Sequence, residues 1–218
     1  MENIDLSTIL ASTIHESENR IGTLLYQLQF LKDDAQDRNK NLKTVEKIEE
    51  SLKQLNDEWV EYLYLYKLAS KGYLLHPEPQ KLDEFLDDQV FALSSAAQAK
   101  DLSLNFTCAP TLVADFDERL MTSVISTAIY NALRFANTKI TLMARIQEDH
   151  LVFSIEDDGP GFPDEQQGER LFSNNIGLGL YFAELSAKAH EVNGLQGHIE
   201  KGTSKSLGGA CLKVFIPQ

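Results

Sequence analysis

At 218 residues and 43% hydrophobic composition, the chain is long enough for one large domain or two small ones with a real apolar core. Its net charge of −13, without any run of Lys and Arg, argues against a nucleic-acid partner or an anionic membrane surface. No apolar stretch approaches the roughly 20 residues of a membrane-spanning helix, and the N-terminus lacks a signal pattern. Cys108 and Cys211 lack the spacing of a zinc site or a disulfide framework, so we expect a cytoplasmic protein without membrane insertion.

Two helical patterns open the chain. Apolar residues recur every three or four positions over Leu6–Leu31, which predicts an amphipathic helix, and a polar connector follows at Lys32–Asn41. Over Val45–Ala69 the same spacing continues without a break, as in a heptad seam. Two antiparallel helices cannot bury such stripes alone, so we expect a second copy to complete a four-helix bundle, which makes the protein a homodimer. An intramolecular bundle with other helices of the chain is the alternative.

A helix-breaking stretch, Gly72 and then Leu75–Pro79, marks a domain boundary between a helical hairpin at 1–74 and a second domain at 80–218. The second domain is predicted to contain, in chain order, a helix at Leu82–Ala99, strands at Leu102–Cys108 and Thr111–Ala114, a helix at Asp117–Ala136 capped by Asp115 or Asp117, strands at Lys139–Ile146 and Leu151–Glu156, a helix at Gly177–Val192, and strands at His198–Lys201 and Ala210–Ile216. Helices gathered on one face of a mostly antiparallel sheet predict an α+β sandwich.

The stretch Asp157–Gly161 follows directly on a predicted strand. A carboxylate at a strand end can accept a hydrogen bond from an exocyclic amine, and a charged acceptor makes that bond stronger. Gly159 and Gly161 allow the backbone to approach a flat ligand such as a purine base. An ordinary Asp-Gly turn between two strands is the alternative for this stretch.

Four stretches together resemble the boxes of the histidine-kinase catalytic domain, the Bergerat or GHKL ATP-binding fold shared with gyrase, Hsp90 and MutL. Thr127–Phe135 resembles the N box, and Asp157–Gly161 resembles the first glycine box. Leu171-Phe172 resembles the phenylalanine box, and Gly177–Leu180 resembles the second glycine box. The resemblance covers roughly residues 80 to 218, with the boxes in the family's order.

The resemblance implies that this domain binds Mg-ATP. Asn131 would ligate Mg²⁺ through its carbonyl oxygen, and Arg134, one turn further along the helix, would pair with a phosphate. Asp157 would contact adenine, with Gly159 and Gly161 forming the wall of the pocket. The remaining expected nucleotide contacts are Arg170 and, just before a helix whose N-terminal amides could receive phosphates, Gly177, Leu178 and Gly179.

The stretch His15-Glu16-Ser17-Glu18-Asn19 resembles the H box of the histidine-kinase dimerisation domain. The resemblance implies that His15 is the phosphoacceptor, that Glu16 orients it or takes its proton, and that Asn19 positions a water for hydrolysis. We therefore expect a two-component histidine kinase core that autophosphorylates and then passes the phosphoryl group to an Asp of a response-regulator receiver domain. Lacking a sensor domain of its own, it would take its signal from a separate sensor protein.

Three departures from the family pattern keep other functions open. Thr127 stands where a second Asn is usual, Phe135 stands where Tyr or His is usual, and Arg20 stands where a helix-kinking Pro is common. One alternative is a histidine phosphotransferase or phosphatase of the same architecture that does not use ATP. Another is an ATP-gated binding protein or serine kinase that sequesters a transcription factor.

Overall fold

The computed structural model describes Ser17 and residues 19–28, 38–162 and 176–218. The predicted roles of His15, Glu16, Arg170 and Leu171-Phe172 fall outside the described residues. The chain divides into two compact units, Met1–Tyr66 and Lys67–Gln218.

The first unit contains two helices. Helix α1 is described at residues 19–28, and helix α2 spans Arg38–Ala69, so it begins within the predicted connector rather than after it. Leu24 of α1 is buried with Ile48 and Leu55 of α2 in one apolar cluster. The Arg20 guanidinium also donates a 2.5 Å hydrogen bond to Glu58, which ties the two helices together. The helical periodicity of the sequence is therefore confirmed over the described part of both helices.

The second unit is built on a five-stranded sheet. Its strands are β2 (Ser103–Cys108), β4 (Lys139–Gln147), β5 (His150–Asp157), β8 (His198–Thr203) and β9 (Ala210–Pro217). They lie side by side in the order β2-β4-β5-β9-β8. The β2–β4 pair is parallel and the other pairs are antiparallel. Two short antiparallel pairs accompany the sheet, β1 (Glu78–Lys81) with β3 (Val113–Phe116), and β6 (Glu191–Val192) with β7 (Leu195–Gln196). The prediction of a mostly antiparallel sheet is confirmed.

Three helices pack on this sheet: α3 (Leu82–Gln98), α4 (Glu118–Phe135) and α5 (Ile176–Ala189). Ile140, Leu142 and Ala144 of β4 are buried while the residues between them are not, so one face of the sheet forms the core. An aromatic cluster lies within that core. Phe85 of α3, Phe116 at the end of β3 and Phe153 of β5 have ring centroids 5.0 to 5.6 Å apart.

Two boundaries in the second unit also differ from the prediction. The last helix was expected to reach Val192 but ends at Ala189, because residues 191–192 and 195–196 pair as a hairpin. Asn193 and Gly194 both have positive φ, 52° and 81°, as a two-residue turn of this kind requires. The strand expected at Thr111–Ala114 lies at Val113–Phe116, where it pairs with β1. Strand β1 itself was not predicted, because its residues adjoin the Pro-containing stretch that was interpreted as a domain boundary.

Asp117 is the N-cap of α4, which decides between the two candidate caps. Its Oδ1 accepts the Leu120 N–H at 3.0 Å. Its Oδ2 accepts both the Tyr73 hydroxyl and the His76 N–H at 2.9 Å. Asp117 is only 3% exposed. Through these three hydrogen bonds its carboxylate connects the segment of Tyr73 and His76 to the first turn of α4.

His190 joins the same cluster from the end of α5. The Asp117 N–H donates to its Nε2 at 3.1 Å, so the ring proton is on Nδ1, which donates to the Ser186 carbonyl at 2.9 Å. Burial lowers the pKa of His190, against the opposing effects of Ser186 and the Asp117 carboxylate. The neutral imidazole thus connects the start of α4 with the end of α5.

Replacing Asp117 by alanine is expected to reduce the free energy of unfolding by about 2–4 kcal/mol, because one cap and two hydrogen bonds to a charged acceptor are lost together. Urea denaturation of the full chain, followed by circular dichroism, measures the loss. Asp115→Ala is the matched control, since Asp115 is exposed two residues earlier and its carboxylate holds none of these groups. Equal denaturation midpoints for the two variants would contradict the role assigned to Asp117.

Candidate functional site

Asp157 is a buried carboxylate at the last residue of β5, where it is 6% exposed. Its Oδ1 accepts two backbone N–H groups, from Gly159 at 2.8 Å and from Ala210 at 3.1 Å. Its carbonyl oxygen accepts the Gly209 N–H at 3.1 Å. Within the described residues, Oδ2 accepts no hydrogen bond. One oxygen is therefore fixed by the backbone, and the other remains able to accept a donor from a ligand.

Gly159 allows the first glycine box to touch the end of α4. A Cβ at this position would clash with the carbonyl oxygen of Phe135 and would lie 2.9 Å from its carbonyl carbon. The close approach brings Asp157 next to the helix that carries Asn131 and Arg134. Gly161 has φ +82°, a left-handed conformation that few other residues adopt.

Gly159→Ala is expected to lower the free energy of unfolding by about 1–3 kcal/mol, because two backbone segments must separate to admit the methyl group. Gly202→Ala is the control, since a Cβ at Gly202 meets no atom within 4 Å. Thermal or urea denaturation of both variants measures the difference. Wild-type stability in Gly159→Ala would show that the close contact with Phe135 is not required.

Asp158 fastens the same box to the segment that follows α4. Its carboxylate accepts the Thr138 hydroxyl at 2.5 Å and the N–H groups of Asn137, Thr138 and Lys139 at 2.8 to 3.1 Å. These bonds, the Thr138 hydroxyl first, hold the pKa of Asp158 well below its usual range. The two adjacent carboxylates thus differ: Asp158 is fully engaged by the protein, and Asp157 keeps one open oxygen.

Two polar side chains lie one turn apart on α4. Asn131 is half-buried, and its amide makes no hydrogen bond to any described residue. Arg134 is exposed, with its guanidinium 5.4 Å from the ring centroid of Phe135. Phe135 therefore makes a cation–π contact with the neighbouring Arg134.

The second glycine run begins helix α5. Gly177 lies in the first turn, Leu178 is half-buried and Gly179 is buried. A helix start has backbone N–H groups without partners in the helix, and such groups suit phosphate oxygens. Helix α5 also packs against α4. These residues therefore stand at a helix N-terminus, as the sequence predicted, on an element that contacts the N-box helix.

Gly209 belongs to this site and was missed by the sequence reasoning. A Cβ there would lie 2.5 Å from each of three atoms, the carbonyl oxygen and Oδ1 of Asp157 and the amide nitrogen of Gly159. The Gly208-Gly209 pair before the last strand could have indicated a close backbone approach. The sequence does not show that the approach is to Asp157, because this depends on the pairing of β9 with β5.

The described part of the chain contains no group of three or more His, Cys, Asp or Glu residues that could hold a metal ion. An amide carbonyl oxygen, such as that of Asn131, is a donor that Mg²⁺ accepts. Among the same residues, no helix is long and apolar enough to cross a membrane.

Residues 116–218 match the sequence model of the histidine kinase-, DNA gyrase B-, and HSP90-like ATPase family. This segment contains α4, both glycine boxes, α5 and the Gly209 turn. This match, together with the fold of the solved histidine-kinase structures, confirms the predicted α+β sandwich of the GHKL type.

The chain is homologous to sensor histidine kinases, which confirms the predicted resemblance to a histidine-kinase core. It is 25% identical over 225 residues to the sensor histidine kinase CpxA of Escherichia coli (strain K12), a match that covers 96% of this chain and 46% of CpxA. The chain spans less than half the length of the curated relatives it matches.

Two solved structures share the fold. Acinetobacter baumannii histidine kinase AdeS superposes with a TM-score of 0.67 at 20% identity, covering 93% of this chain and 97% of that chain. Histidine kinase ThkA, in its complex with the response regulator protein TrrA, superposes with a TM-score of 0.61 at 18% identity, covering 97% of this chain and 61% of that chain.

Proposed function

We propose that this chain is the catalytic core of a two-component histidine kinase, which binds Mg-ATP in the Lys67–Gln218 unit and transfers the γ-phosphoryl group to His15. The observation that carries the proposal is the Asp157 carboxylate, buried, with one oxygen fixed by the backbone and one open. The match of residues 116–218 to an ATPase family supports ATP as the ligand.

In this proposal the nucleotide is held by groups at the last residue of β5, on α4 and at the N-terminus of α5. Asp157 Oδ2 would accept the 6-amino group of adenine. Asn131 would give its carbonyl oxygen to Mg²⁺, and the charge of the ion would lower the repulsion among the phosphates. Arg134 and the N-terminal amides of α5 would bind the phosphates. Arg170, outside the described residues, is a further phosphate contact in this proposal.

The transfer step requires a neutral imidazole at His15. A ring nitrogen attacks the γ-phosphorus, the bond from that phosphorus to the β–γ bridging oxygen breaks, and ADP leaves with the electron pair. Glu16 orients the ring or takes the proton that the imidazole loses. The phosphoryl group then passes to an Asp carboxylate of a receiver domain. Asn19, exposed on α1, would position a water for the competing hydrolysis.

The proposed partners follow from two observations. ThkA has been captured with a response regulator, which supports a receiver domain as the phosphoryl acceptor. Helix α2 exposes about half of Trp59, Leu63 and Tyr66, and a second copy of the α1–α2 hairpin would cover such an apolar surface. A homodimer through the 1–74 segment is thus part of the proposal, with 80–218 as its catalytic domain.

Incubation of the full chain with Mg-ATP labelled at the γ-phosphate tests this function. We expect label that is lost in acid and retained in alkali, as a phosphorus–nitrogen bond on histidine requires. No such label would overturn the proposed autokinase.

Thr127 and Phe135 favour one second candidate, a histidine phosphotransferase or phosphatase of the same architecture that does not use ATP. Calorimetric titration with Mg-ADP separates the two functions. Saturable binding supports the kinase, and an absence of binding supports the ATP-independent protein.

A further inference from the structure

We propose that Asp117 and His190 form a proton-operated latch, which releases residues 73–76 from the start of α4 when the His190 imidazole takes up a proton. Residues 73–76 belong to the stretch between the end of α2 and strand β1, which we call the junction. The latch controls how firmly the junction is held to α4. It acts whether or not the second unit binds ATP.

The junction reverses direction at the end of α2 and is then tied to α4. The N–H groups of Gly72 and Tyr73 both donate to the Lys67 carbonyl oxygen, at 2.8 and 3.2 Å. Two hydrogen bonds follow, from the Tyr73 hydroxyl and from the His76 N–H, each 2.9 Å from Asp117 Oδ2. Both bonds end on one oxygen, so both are lost when the carboxylate moves.

The His190 imidazole can take up a further proton only at Nε2. Its Nδ1 already donates to the Ser186 carbonyl at 2.9 Å, and its Nε2 accepts the Asp117 N–H at 3.1 Å. A proton on Nε2 would face this N–H, donor against donor, so the ring could not keep its position. His190 is 3% exposed, and the new N–H must therefore find an acceptor within the protein.

The Asp117 carboxylate is that acceptor. Among the described residues it is the charge that acts on the His190 ring. Charged side chains next to His190 in the chain are engaged elsewhere: Lys188 binds Glu184 at 2.6 Å, and Glu191 accepts a side-chain amide at 3.0 Å. A hydrogen bond between an imidazolium and a carboxylate is stronger than one from a neutral donor, so the protonated ring competes successfully for the carboxylate.

The donors on Asp117 Oδ2 are the ones displaced. Oδ1 accepts the N–H of Leu120, a fully buried residue, and water cannot replace the carboxylate there. The Tyr73 and His76 bonds are only part-buried, so water can take the place of the carboxylate at both donors. Protonation is therefore expected to free residues 73–76 while the cap of α4 is retained.

The burial of the ring sets the pH range in which the latch opens. Burial lowers the pKa of His190 below its ordinary value of 6.5, against the opposing effects of the Ser186 carbonyl and the Asp117 carboxylate. The latch is therefore closed at neutral pH and opens as the pH falls below about 6.5. The unfolded chain takes up this proton more readily than the folded chain, so the free energy of unfolding also falls as the pH falls through this range.

A nuclear magnetic resonance titration of the full chain from about pH 8 to about pH 5 tests the latch. The His76 amide proton signal is expected to shift from the position of an amide bound to a carboxylate to that of an amide bound to water. This shift is expected to have the same midpoint as the titration of the His190 ring. The Leu120 amide, which binds the other oxygen, is expected to keep its signal.

Two variants separate the latch from other effects of acid. His190→Gln keeps a neutral acceptor for the Asp117 N–H but takes up no proton, so the His76 amide signal is expected to stay in place. His76→Gln is the matched control, because it removes the exposed imidazole of the junction itself and retains the backbone N–H. In this variant the amide of residue 76 is expected to shift with acid as in the wild type.

Four outcomes overturn the inference. A His190 ring that stays neutral over the whole range means that there is no switch, and a His76 amide that stays in place while the ring titrates means that the ring does not hold the junction. The same shift in His190→Gln means that another group senses the acid. Loss of the Leu120 signal together with the His76 shift means that acid unfolds the unit. If His190→Gln does not fold, the wild-type midpoints and His76→Gln decide.

Discussion

Replacing His15 by alanine is expected to abolish the acid-labile phosphate incorporated from Mg-ATP, because alanine offers no ring nitrogen to attack the γ-phosphorus. The affinity for Mg-ADP is expected to stay within about twofold of wild type, since the groups proposed to bind the nucleotide lie in the other unit. Phosphate incorporation and calorimetry on the same preparation measure both quantities.

The matched control is His76→Ala. His76 is exposed, and its contact with Asp117 is made by its backbone N–H, which the substitution retains. Wild-type labelling is therefore expected for this variant. Acid-labile label that survives in His15→Ala would place the phosphoacceptor on another residue, and loss of Mg-ADP binding in that variant would show that residue 15 affects the nucleotide site itself.

Replacing Asp157 by asparagine is expected to weaken Mg-ATP binding by roughly 100-fold or more, beyond the loss of charge alone. The Gly159 and Ala210 N–H groups both need an acceptor at the Oδ1 position. The asparagine carbonyl must therefore occupy that position, and its NH₂ group takes the place of Oδ2. Two donors, this NH₂ and the adenine amine, then face each other.

The same geometry predicts a change of preference. An NH₂ at the Oδ2 position can donate to the 6-oxo group of inosine triphosphate, so Asp157→Asn is expected to prefer this ligand to ATP. Asp149→Asn removes the same charge from an exposed turn of the same unit and is expected to bind as wild type. Calorimetry with both nucleotides measures the preference. An unchanged preference in Asp157→Asn would show that the carboxylate does not read the base.

Local pattern was enough to predict most elements. Apolar residues at helical spacing predicted α3 and α4 to within a few residues and α2 apart from its first turns, and alternation predicted β4, β5 and β9. Burial of one stripe or one face dominates the energetics of such elements, so the periodicity of burial appears directly in the sequence. The end of α5 could not be predicted in this way, because the Asn193-Gly194 turn competes with helix continuation over only a few residues.

The candidate site likewise has features that the sequence predicts and features that only the fold decides. The sequence by itself determined where the three boxed residues Asn131, Arg134 and Asp157 stand in the chain, and it predicted the proposed chemistry for them from their boxes. Only the tertiary structure decided how Asp157 is oriented, since its fixed oxygen accepts the N–H of Ala210, 53 residues away, which β9 brings beside β5. It likewise decided that Asp117 rather than Asp115 caps α4 and holds Tyr73. Contacts of this kind arise from strand pairing and burial between distant segments, so no local pattern carries them.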